Sequence, residues 1–270
     1  MKKIHLFSIE NKTDLTGQEI FCWIINKAIG ALLKNKGEDY ALTPHFITEA
    51  FEKLKGVDFG EYNGQQAQEF LITSILKHYL ESISSSKKFL LAFPEDITAD
   101  SMIVETENNP TFKLLGENAI PEKPITTYAF QIKEVREQDD IFSIATNSSS
   151  GETVSLLDTK LFFDFRERFK EKIIEKGSYD GLIPILFLRA PFGSTFKIEE
   201  ISKAFQDMNK GYFKEIWLIA PIERLENADG TLAKLKKEAP FRFLVHNVLN
   251  ADSSEFVIMT MDCEFKDFSK

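Results

Sequence analysis

The stretch that most restricts how this chain can fold runs from Gly64 to Ile83. Phe70, Leu71, Ile72, Ile75, Leu76, Tyr79, Leu80 and Ile83 recur largely at steps of three and four, which predicts an amphipathic helix with one buried face. Its front end is a dense polar run, Gln65-Gln66-Ala67-Gln68-Glu69, behind a tight Asn63-Gly64 turn. Side chains there reach past the helix toward whatever docks beside it. Upstream, from Gly17 onward, Ile20, Phe21, Ile24, Ile25, Ala28, Ile29, Leu32 and Leu33 predict a helix apolar over much of its surface, hence central and buried. Cys22 falls in its first turn.

A further helix is expected from Thr43-Pro44, an N-cap residue followed by proline at the first helical position, to about Lys55-Gly56. The first third therefore reads as helical. The pattern changes after Ser84-Ser85-Ser86. Alternation and β-branched content predict strands at Phe89–Phe93, Met102–Glu105, Thr126–Glu134 and Ile141–Thr146. Asn108–Pro124, with three of the nine prolines, reads as a loop. A turn at Asn147–Gly151 and a helix from about Val154 to Lys176 follow. The last third predicts strands at Leu182–Arg189, Tyr212–Pro221, Phe241–Asn247 and Phe256–Met261, with short helices at Glu199–Phe205 and Thr231–Glu238. Residues 1–14 read as a lead-in strand or arm. The expectation is an α+β fold in one domain over 1–270, helical in 1–83 and β-rich in 84–270.

Composition removes some functions. The net charge of −9, from 33 basic against 42 acidic residues, argues against a nucleic-acid partner, because phosphate binding needs a basic surface. No apolar run is long enough to span a bilayer. Met1-Lys2-Lys3 lacks the apolar segment of a secretory signal. Two cysteines, Cys22 and Cys263, cannot build a four-thiolate zinc site, so no metal or cofactor is expected and a reduced compartment is the simpler reading. The expected location is the cytoplasm, or a host cytosol for a delivered effector.

A thiol near a helix N-terminus ionises readily, and a thiolate nucleophile needs a base held by a third group. Of the four histidines, His45 lies beside a helix cap, His78 within the glutamine-rich helix and His5 in the polar lead-in. His246, closing the strand from Phe241, is the candidate by elimination. A hairpin from His246 through the turn at Ala251–Ser254 to Asp262 is expected to bring Asp262 beside His246. Cys22, His246 and Asp262 would then form a triad, with Asp267 as an alternative acid. The competing reading makes Cys22 a small core residue and His246 a satisfied strand-end histidine.

Gln65-Gln66-Ala67-Gln68-Glu69-Phe70-Leu71 resembles the "QDAxEFL" box of the ubiquitin-specific proteases, with Gln66 in place of the family's Asp. Other stretches resemble that family in the same order: Cys22-Trp23-Ile24-Ile25-Asn26 the start of its nucleophile helix, Leu182–Arg189 and Tyr212–Ala220 two of its core strands, and His246 to Asp262 the pair bearing its base and acid. The resemblance implies a papain-like cysteine protease fold and a thiol-dependent isopeptidase acting on ubiquitin or a ubiquitin-like protein. Cys22 would be the nucleophile, His246 the base and Asp262 its orienting acid. Gln18 would lend an amide to the oxyanion, and Gln65, Gln66 and Glu69 would line the groove for the modifier's tail. Departures are specific. The family's Gly-Asn-Thr-Cys lead is Glu19-Ile20-Phe21-Cys22 here, and the paired CxxC motifs of many members are absent. His246 lacks the family's preceding Gly and following Tyr. A rival register sets Ser254-Glu255-Phe256 against Gly-His-Tyr and leaves Glu255 where the base belongs. These departures imply the alternative of an inactive protease-like fold that binds ubiquitin, a relative of it, or another protein.

Overall fold

The computed structural model describes residues 4–36, 50–51, 53–94, 99–115, 118–135, 181–188, 198–209, 211, 213–221, 238–250 and 256–264. The strand at Ile141–Thr146, the turn at Asn147–Gly151 and the helix at Val154–Lys176 lie outside them. So does most of the helices expected from Thr43 and over Thr231–Glu238.

Eight strands form one mixed sheet in the order β1-β2-β3-β6-β7-β8-β9-β10. They are β1 (Ile4–Leu6), β2 (Lys87–Pro94), β3 (Ser101–Glu107), β6 (Thr126–Val135), β7 (Leu182–Leu188), β8 (Trp217–Pro221), β9 (Glu238–Asn247) and β10 (Val257–Glu264). Only β6–β7 and β7–β8 pair in parallel; the other neighbours are antiparallel. A separate hairpin, β4 (Phe112–Leu115) and β5 (Asn118–Pro121), occupies part of the stretch read as a loop. The expected strand at Tyr212–Pro221 starts late, at Trp217; before it, the Asn209 side chain bonds both the N–H and the carbonyl of Phe213.

Two long helices, α1 (Gly17–Lys36) and α2 (Gly64–Ile83), share one hydrophobic core with the sheet. The two-residue period of strands sorts the sides. Phe89, Leu91, Ile103, Ile185, Phe187, Phe241, Phe243 and Val245 join the core of α1 and α2. Leu90, Ala92, Met102 and Val104 form a second cluster with Leu6, and α3 (Ile198–Asn209) meets His246 through a side-chain hydrogen bond. The architecture is mixed α/β with a large, mostly antiparallel sheet, compatible with the α+β expectation. The helical first third is not a layer apart: β1 lies at one edge of the same sheet, and the helices bury their apolar faces on its strands.

Both helix starts are closed by side chains. Thr16 Oγ1 accepts the Glu19 N–H at 3.1 Å, and the Glu19 carboxylate accepts the Thr16 N–H at 2.7 Å. This reciprocal cap satisfies N–H groups that a helix leaves open. Asn63 and Gln66 do the same at α2. The two helices meet where Gly17 touches α2. A Cβ on Gly17 would stand 2.4 Å from the Ser74 carbonyl oxygen and 2.8 Å from the His78 Cβ, closer than atoms pack. Replacing Gly17 by Ala therefore separates α1 from α2 and is expected to cost about 1–3 kcal/mol, the usual range for overpacking. Urea unfolding checks this; an unchanged midpoint would show that α1 can shift freely.

Candidate functional site

The Gly17 contact places the first turns of α1 beside the C-terminal half of α2. Lys77 of α2 is buried, its side chain 1% exposed, and its ammonium donates to the Leu15 carbonyl at 2.8 Å and pairs with Glu81. Burial depresses the Lys77 pKa, opposed mainly by Glu81. The other Glu81 oxygen accepts the Gly17 N–H at 2.9 Å. One carboxylate thus holds a buried cation and completes the open N-terminus of α1, where negative charge is favoured.

Cys22 follows about one and a half turns into α1. Its sulfur is bonded to Cys263 near the end of β10, joining positions 241 residues apart with Cα atoms separated by 5.3 Å. The two cysteines read as unpaired from sequence are thus joined. The same sulfur lies 3.5 Å from the Asp262 carbonyl oxygen. Gln18, expected to serve an oxyanion, donates its amide to that carbonyl at 2.9 Å. Across the β9–β10 pair Asp262 stands opposite Pro240, which has no N–H to donate.

His246 is elsewhere. It is buried on β9 opposite Leu218 of β8, with Nε2 2.8 Å from the Ser202 hydroxyl of α3. Its neighbour Val245 joins the core beneath α1 and α2, so the alternation of strand side chains turns His246 to the other face. Along β9, six residues separate it from Pro240, about 20 Å at the strand rise. The expectation that Asp262 returns beside His246 is corrected by the register. A hairpin juxtaposes residues equidistant from its turn, and here Val257 pairs Val245, so Asp262 reaches Pro240. Cys22, His246 and Asp262 do not form one cluster. Asp267 and Glu255 lie outside the described residues.

Among the described residues, the histidine that does share a cavity with Cys22 is His78, which sequence reasoning set aside. Both line a cleft of about 930 Å³ together with Gln18, Lys77, Glu81 and Asp262. Nδ1 of His78 is 4.0 Å from Glu81. Desolvation holds its imidazole below the ordinary pKa, against the pull of Glu81, which favours the neutral ring. No local signal in the sequence marks it, because the meeting of α1 and α2 at Gly17 is a tertiary contact.

The expected tail-groove residues divide. Gln66 is taken up by the helix cap, its Oε1 accepting the Asn63 N–H at 3.0 Å. Gln65 is exposed and donates to Glu69 at 2.9 Å. Glu69 is partly buried, and desolvation pushes its carboxyl up to about 7, with nearby Asp100 adding to the rise. Asp100 is also raised by burial while it accepts hydrogen bonds from Gln131 and the Ile132 N–H. Among the described residues, no group of three or more His, Cys, Asp or Glu side chains could hold a metal ion. No helix among them is long and apolar enough to cross a membrane. No family model matches the chain, and no curated protein or solved structure matches it.

The Glu69 shift has a definite sign. Unfolded, a glutamate titrates near 4.3; folded, this one holds its proton to about 7. Between those values the native state binds more protons, so the Glu69 contribution to stability falls as pH rises and is fully lost above 7. The stability of Glu69→Gln relative to the parent should therefore improve steadily from pH 4.5 to pH 8 in parallel denaturant titrations. A difference that does not vary with pH would contradict a buried carboxyl at this position.

Proposed function

We propose that this chain is a protein-binding module on a protease-like plan, recognising ubiquitin or a ubiquitin-like protein without cleaving its conjugates. The observation that carries this is the separation of the catalytic pair: the Cys22 sulfur is bonded to Cys263, while His246 faces the other side of the sheet in contact with Ser202. With His246 out of reach, Cys22 loses the general-base activation expected of that pair. Support for the partner comes from the glutamine box. Its Gln65 and Glu69 present polar groups at the front of α2, where an extended tail finds hydrogen-bond partners. The net acidic chain suits such a partner through electrostatic steering.

A second reading, a thiol-dependent isopeptidase, is favoured by one feature. Cys22 and Gln18 line the same cleft as His78, so a reduced Cys22 would have an imidazole within that cleft. A fluorogenic ubiquitin C-terminal amide and probes bearing a thiol-reactive C-terminus separate the two, applied to the protein with and without reductant. The binding module is expected to leave the substrate intact and the probe unattached, yet to bind ubiquitin or a ubiquitin-like protein with the same affinity after Cys22→Ser. That affinity is expected to weaken at least several-fold on Glu69→Lys, which sets a cation against the basic tail. Turnover lost in both Cys22→Ser and His78→Gln would establish the isopeptidase instead, and absence of binding to any such modifier would overturn both.

A further inference from the structure

We infer that Cys22–Cys263 is a redox latch, opened by a low-molecular-weight thiol that enters the cleft and attacks the Cys22 sulfur. This goes beyond the binding reading and does not depend on it. The two sulfurs differ in access. Cys263 is 2% exposed beneath the helices, whereas Cys22 is partly exposed and lines the cleft. At about 930 Å³ the cleft is within the size range of small-molecule sites, so a tripeptide thiol can reach the bond without unfolding the protein. Exchange is directed to the sulfur an incoming thiolate can approach.

The chemistry balances in two steps. The attacking thiolate forms a bond to the Cys22 sulfur as the Cys22–Cys263 bond breaks, and the electron pair leaves on Cys263, which takes a proton. A second thiolate then attacks the outer sulfur of the mixed disulfide and releases Cys22. Two small-molecule thiols are oxidised to one disulfide, and the protein disulfide is reduced to two thiols.

What the latch holds follows from topology. β10 is one of the two outer strands of the sheet among the described residues, and the bond ties its end to α1. With the bond open, that end keeps the Gln18 amide on the Asp262 carbonyl and the burial of Met259 and Met261. The start of β10 is already exposed: Val257 is 37% and Ile258 53% accessible. Reduction therefore loosens one edge strand and leaves β2 and β3, across the sheet, in place.

The test uses the intact, native protein in glutathione buffers of graded ratio, quenched by alkylation and mapped by peptide mass. The expected result is reduction without denaturant, with the glutathione adduct on Cys22 at least tenfold over Cys263. Hydrogen exchange in Val257–Glu264 should rise at least tenfold on reduction while β2 and β3 are unchanged. A Cys263→Ser variant should form the same adduct from oxidised glutathione, whereas Cys22→Ser should react at least tenfold more slowly. A bond that resists millimolar thiol until the protein is denatured, an adduct chiefly on Cys263, or exchange that rises across the whole chain would each overturn the latch.

Discussion

The placement of Cys22, Gln18 and His78 depends on one junction, where the bare backbone of Gly17 lies against α2 and the Lys77–Glu81 pair is enclosed beneath it. Enclosing an ammonium is costly unless a partner and further hydrogen bonds replace its water. Here Glu81 supplies the charge and the Leu15 carbonyl a second acceptor. Because the same carboxylate receives the Gly17 N–H, the start of α1 is fixed in position as well as in direction. Cys22 is carried by that helix to the end of β10, and the sulfur is determined by its helix rather than by a base.

The functional consequence follows from which strand end meets α1. The helices cross the sheet so that the late part of β10 lies under α1, and its neighbour there is Pro240 of β9. A histidine at that point would stand across from Asp262, close to the sulfur. The histidine that β9 carries, His246, is six positions further along and faces α3. Gln18 and Cys263 take up the groups that remain, one on the Asp262 carbonyl and one on the sulfur. The result is a closed end to the sheet in place of an open catalytic groove, with the cleft and His78 alongside it.

Much of the fold was legible because period and composition report local structure directly. The three-and-four spacing of α2, the apolar run of α1 and the alternation of β2, β3, β6, β7, β9 and β10 all fell where expected. The hairpin β4–β5 was hidden because the prolines and glycine of this stretch read as loop chemistry, and four-residue strands carry little alternation. The site was less legible. Reading Asp262 as the partner of His246 needed the pairing register, and register is set by the turn between the strands, at residues outside the motif itself. Gln66 was read as a groove residue because a glutamine at the third helical position is equally a capping residue. The Cys22–Cys263 bond was invisible at a separation of 241, since nothing local marks two cysteines as neighbours.

The junction is most directly tested by a double-mutant cycle on Lys77 and Glu81. Glu81→Ala alone strands a buried ammonium and opens the Gly17 N–H, a loss expected to be about 3 kcal/mol by denaturant unfolding. Lys77→Met, which removes the buried charge with a side chain of similar reach, should cost less, and the double variant should recover at least 1 kcal/mol of the summed losses. Losses that simply add would contradict the account, because they would mean that the enclosed pair does not hold α1 against α2.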